Sequence, residues 1–150
     1  MTLNKIKTLK NERGFTIVEL LIVVVIIAIL AAIILVAYNG LTNRAKTSSA
    51  LSTAQAVQSK SEAYNAETGS YPATFSLLTA DSTKTYFISG VTLKASGNPG
   101  STDGTATVSM YSCTGGGQKI GYYDFSAGAP AFVYTGPATS SSTCSTQIAT

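Results

Sequence analysis

Cys113 and Cys144 are the only thiols in the sequence, and there is no histidine to join them. Their spacing matches no metal-ligand pattern and no other soft ligand stands near them, so a disulfide is the better reading. That bond requires an oxidising compartment outside the cytoplasm. Beyond residue 68 the acids are Asp81, Asp103 and Asp124, far apart in sequence and without a histidine base. The many serine and threonine hydroxyls have no visible activator for nucleophilic work. The glycine-rich pieces "SGNPGSTDGT" and "CTGGGQ" lack the Lys-Ser/Thr ending of a phosphate loop and read as turns. Asp103-Gly104 alone offers too few oxygens for calcium. These residues predict no enzyme, no cofactor and no metal. The one acid in an unusual place is Glu19, near the start of a long apolar run.

That run must be held by a particular element. Leu20 to Ala37 is an unbroken apolar stretch of eighteen residues. As a helix it spans roughly 27 Å, close to the hydrocarbon thickness of a bilayer. Being apolar on every side, it needs lipid or protein all round. The charge is equally uneven. Residues 1–14 hold Lys5, Lys7, Lys10, Arg13 and Glu12, which is 4 − 1 = +3, the whole net charge of the chain. Such a flank keeps the N-terminus in the cytoplasm and sends the remainder outward. The neutral remainder argues against nucleic acid as a partner, because phosphate binding needs clustered Lys and Arg. An ordinary secretory signal would be cut at small residues such as Ala31-Ala32, yet Ile33 to Ala37 continue the apolar run past that point. A plain uncut anchor explains the topology but leaves Arg13-Gly14-Phe15 and Glu19 as coincidences.

Gly14-Phe15-Thr16, then Glu19, then the aliphatic run, resembles the N-terminus of type IV pilins. The resemblance implies a membrane-embedded peptidase that cuts between Gly14 and Phe15 and methylates the new N-terminus at Phe15. It implies assembly through Phe15, Thr16 and Glu19 into a helical homo-oligomer, on a platform in the inner membrane. The localisation that follows is the cytoplasmic membrane for the precursor and a surface filament once assembled. Two accounts of Glu19 stand side by side. In the first it lies in the first helical turn, reaches headgroups and favours the positive end of the helix dipole, worth about 0.3–1 kcal/mol. In the second it faces the Phe15 ammonium of a neighbouring subunit and fixes the stagger between helices.

Past Tyr38 the composition turns to Ala, Ser and Gln. Leu51, Ala54, Val57, Ser61 and Tyr64 form a narrow stripe at helical spacing, with Leu41 and Ala45 extending it upward. Gly69 and Pro72 mark the stop. "ETGSYP", residues 67–72, also resembles the helix exit of pilins. From Phe15 to Thr68 the helix would be roughly 80 Å long, with Asn39-Gly40 its only weak point. The remainder predicts strands at 86–94, 105–112, 119–125 and 131–135, with "CTGGGQ" as a turn and the tyrosines Tyr111, Tyr122, Tyr123 and Tyr134 as sheet residues. The expected fold class is therefore α+β, a long N-terminal helix packed on a small antiparallel sheet. Its segments are a leader at 1–14, a membrane or filament-core helix at 15–38, an amphipathic half at 39–68 and a β-rich head at 69–150 with a disulfide-tied tail.

The leading function is a structural subunit of a type IV pilus-like filament serving adhesion, motility or DNA uptake. A pseudopilin of a type II secretion machine shares the same N-terminus. A ligand-binding tip adhesin or minor pilin is the third reading.

Overall fold

The computed structural model describes residues 14–150; the basic leader expected at 1–14 lies, up to Arg13, outside the described residues. One α-helix, α1, covers Ile17–Thr68 and passes through Asn39-Gly40 without a break. By its internal contacts the chain divides into two compact units, one ending at Tyr38 and one comprising Asn39–Thr150. In the first unit every described side chain is exposed, and the helix is long and apolar enough to cross a membrane. A helix with no polar face and no protein around it has nowhere in water to bury its side chains.

The second unit holds the sheet. A four-residue helix α2 (Ser76–Thr79) is followed by β1 (Thr92–Leu93), β2 (Thr107–Cys113), β3 (Gln118–Asp124), β4 (Ala129–Tyr134) and β5 (Cys144–Gln147). The order is β1-β2-β3-β4, with β5 also on β2. Since β3 takes one side of β2, the short strands share the other: β1 pairs in parallel at Thr107 and Val108, β5 antiparallel from Tyr111 to Cys113. The sheet is thus mostly antiparallel and lies on the second half of α1, giving the expected α+β class.

The helix buries Ala50, Ala54, Val57 and Ser61, at spacings of four, three and four that bring them to one face. Leu51 and Tyr64 flank that line and pack against the core. Leu41 and Ala45 do not extend it. Both are exposed. The helical period runs on through them, but the buried core does not. Opposite the stripe stand Val108, Met110 and Ile120, each 0 % exposed, joined by Phe75, Leu78, Ile88, Leu93, Tyr122 and Ile148. Alanine and serine on the helix allow the sheet to approach closely, and the larger side chains come from the strands.

The predicted strand at 86–94 is largely a loop, of which only Thr92–Leu93 pairs. Its apolar residues act as plugs: Ile88 is buried and donates its N–H to the Leu78 carbonyl at 2.8 Å. Tyr86 meets Tyr64 edge-on at 4.9 Å. The alternation in β2 is also incomplete, because Ser109 on the outward face is as buried as Val108. Gly121 lies opposite it, and a Cβ there would stand 2.5 Å from Ser109 Oγ and 3.1 Å from the Phe132 ring. Phe132 therefore lies over the sheet at this point and shuts water out. In the "CTGGGQ" turn, Gly117 has φ +78°, and a Cβ on it would fall 2.2 Å from the Thr135 carbonyl oxygen. No other residue fits there.

Three polar links tie helix to sheet. Asp124 accepts from the Thr47 hydroxyl at 2.9 Å and from the N–H groups of Ser126 and Ala127 at 2.8 and 3.0 Å. Hydrogen bonds from Ala127 and Thr47 hold its carboxyl below the usual range. Glu62 accepts from the Tyr71 hydroxyl at 2.8 Å and from the Gly136 N–H at 2.7 Å. Burial, then the Glu62 carboxylate, pushes the Tyr71 phenol up. Gln58 Nε2 donates to the Tyr134 carbonyl at 2.6 Å.

Candidate functional site

The helix begins where a side chain can take over the work of a missing turn. Thr16 precedes the first helical residue, and the first backbone N–H groups of a helix have no partner within it. Thr16 Oγ1 accepts from the Glu19 N–H at 3.2 Å. In return Glu19 Oε2 accepts from the Thr16 N–H at 2.9 Å and from the Thr16 hydroxyl at 2.9 Å. This is the reciprocal Thr-x-x-Glu capping arrangement, and Thr16-Ile17-Val18-Glu19 spells it in the sequence. Sequence reasoning placed Glu19 in the first turn but did not read that spacing as a cap. Among the described residues these bonds engage Oε2 alone.

Gly14 and Phe15 lie before the helix, outside any helix or strand, both exposed, Phe15 at 89 %. Among the described residues nothing lies within 4 Å of a Cβ built on Gly14. No described contact therefore requires glycine at position 14. What the arrangement can do chemically follows from the spacing. An amine freed at Phe15 would stand one residue before the Thr16–Glu19 cap.

The two cysteines are joined. Cys113 at the end of β2 and Cys144 at the start of β5 are Cα partners 3.9 Å apart, bonded through their sulfurs. The bond encloses β3, β4 and the loop after them. Beside it Thr114 donates its N–H to the Thr143 carbonyl at 2.8 Å. Strand β5 escapes a reading by pattern because "CSTQ" has no apolar alternation. It is defined by what it is bonded to. Closing a loop of this length contributes about 3–4 kcal/mol by the chain-entropy argument. Labelling the denatured, unreduced protein with a thiol reagent is expected to modify neither cysteine. Labelling of both would mean that β5 is held by hydrogen bonds alone.

Among the described residues, no three His, Cys, Asp or Glu side chains gather as metal ligands. Tyr111, Tyr122, Tyr123 and Tyr134 all lie in strands. Tyr122 faces the core, while Lys119 rests between the rings of Tyr111 and Phe132 at 4.8 and 4.7 Å.

Compared with known proteins, residues 9–35 match the family model for the prokaryotic N-terminal methylation motif. No curated protein and no solved structure matches the chain. The match covers Lys10 and Arg13 of the basic flank, Gly14-Phe15, the Thr16–Glu19 cap and most of the apolar run. With the α+β fold and the disulfide behind it, that stretch marks the chain as bearing the N-terminal signature of the type IV pilin and prepilin family.

Proposed function

We propose that this chain is the precursor of a structural subunit of a type IV pilus-like filament. Residues 1–14 are a cytoplasmic leader removed by a prepilin peptidase, which also methylates Phe15. Residues 15–38 hold the chain in the inner membrane, N-terminus inward, and then pass into the filament core on an assembly platform. Residues 39–68 carry the head, 69–150, outside. The single observation that supports this most is the start of α1: a glycine that no described contact requires, then a threonine and a glutamate bonded to each other, then a helix whose side chains are all exposed as far as Tyr38.

Glu19 has two jobs in this reading. Through Oε2 it closes the helix end of its own chain. As a charge it offsets the ammonium that cleavage creates on Phe15 of a neighbouring subunit, which an apolar bundle would otherwise leave unpaired. Intact-mass measurement of the surface protein is expected to give a chain starting at Phe15 with one added methyl group. Retention of Met1, or a start near Ala32, overturns the proposal. Short periplasmic assemblies in place of long surface fibres would reassign the same processed chain to a secretion pseudopilin.

A further inference from the structure

Strand β4 is the open edge of the sheet, paired with β3 on one side and exposed or half-buried throughout. An open edge offers unpaired N–H and C=O groups to any other strand that arrives. Which groups point outward follows from the register. The Thr135 N–H donates to the Gln118 carbonyl at 2.9 Å, and pairing runs unbroken from Lys119↔Tyr134 to Asp124↔Ala129. Antiparallel pairing alternates, so Ala129, Ala131 and Val133 turn their backbone groups toward β3. Pro130, Phe132 and Tyr134 turn theirs away.

Two of those three positions are obstructed. Pro130 has no N–H, and its ring stands where a neighbouring strand, about 4.8 Å away, would have to lie. At the other end the Tyr134 carbonyl is occupied by Gln58 Nε2 at 2.6 Å, a side chain that reaches across from α1. Among the described residues Phe132, between them, is the one outward position at which both N–H and C=O stay open, while Pro130 keeps only its C=O and Tyr134 only its N–H. A strand bonded in full at one residue and by single bonds at its two neighbours, with the Pro130 ring in its path, gains less to offset the chain entropy lost in ordering it.

We propose that Gln58 and Pro130 together close the β4 edge against strand addition by a second copy of this chain. The need is plain for a protein that is held at high density with all heads alike. Identical open edges placed side by side are self-complementary, and pairing through them would compete with any ordered assembly through the helices.

The test uses the processed full-length chain in detergent micelles, dilute and concentrated, with amide hydrogen exchange read at residues 129–134. In the parent protein, exchange at Phe132 is expected to be fast and independent of concentration. In the double variant Gln58→Ala/Pro130→Thr, concentrating the sample is expected to slow Phe132 exchange about tenfold or more, the mark of an edge that is paired most of the time. Concentration-dependent slowing in the parent overturns the proposal, as does a folded double variant that behaves like the parent. Should the double variant fail to fold, Pro130→Thr alone decides, since it restores one outward N–H and leaves Gln58 bonded. A smaller slowing in the same direction supports the proposal, and unchanged exchange overturns it.

Discussion

Cells carrying Glu19→Ala are expected to display no fibres, while processed monomer persists in the membrane at the parent level or above it. Two losses are combined in this variant, and their sizes differ. Removing the acceptor of the Thr16 N–H and hydroxyl undoes one half of the capping box, while Thr16 Oγ1 still accepts from the N–H at position 19. The cost therefore stays below the roughly 1 kcal/mol typical of losing an N-cap side chain. Removing the charge leaves the Phe15 ammonium unpaired in an apolar bundle, and breaking a buried pair in this way costs about 3–5 kcal/mol. The head is spared, because its core of Val57, Val108, Met110 and Ile120 lies wholly in the unit from Asn39 onward. Glu19→Gln separates the two contributions. It retains an oxygen that can cap Thr16 but brings no charge to the ammonium. Few or short fibres from Glu19→Gln would show that the charge dominates. Normal fibres from Glu19→Gln, with none from Glu19→Ala, would show that the cap is what assembly needs. Normal fibres from both variants would remove Glu19 from assembly altogether.

Replacing Gly14 by valine or phenylalanine is expected to abolish processing. Electrophoresis and intact mass would find the unprocessed precursor in membranes, and no fibres outside. The fold gives the variant no reason to fail, since a side chain at position 14 points into open space. Any effect must come from a partner that handles this peptide bond. Gly14→Ala, which adds a single carbon, is expected to slow cleavage far less. Full cleavage of Gly14→Phe at the parent rate would refute peptidase selection at this position.

What the sequence made legible was the part governed by local rules. A run without polar residues, a period of three and four, and a Gly followed by Pro are enough to place α1 and end it at Thr68. The same rules put Ala54, Val57 and Ser61 on the buried face. They could not tell where the sheet stops, so Leu41 and Ala45 joined the stripe on period alone. Tyr86 and Ile88 show the opposite failure. Their β-type side chains serve a loop, because Ile88 finds its backbone partner at Leu78 in α2 instead of in a strand. Strand β5 has polar residues throughout and depends on Cys113 and β2, both distant in sequence. The Thr16–Glu19 cap was fully visible as Thr-x-x-Glu, but the apolar run beside it drew attention to the charge of Glu19 and away from its hydrogen bonds.

The head is completed from its last residues. Ile148 is buried and gives its N–H to Met110 at 2.8 Å, and Phe75 donates to the Ala149 carbonyl at 2.9 Å. Synthesis runs the other way. The helix stripe is made first, and at about 5–20 residues per second it waits for roughly 5–20 s before its covering strands are all translated. In the proposed topology the half-made chain would stand for that interval at the outer face of the membrane. A stripe built of Ala50, Ala54 and Ser61 around Val57, with Leu51 and Tyr64 at its flanks, keeps the apolar face narrow. The small side chains that let the sheet approach closely would thus also limit the apolar surface that the unfinished chain shows before residues 144–149 arrive.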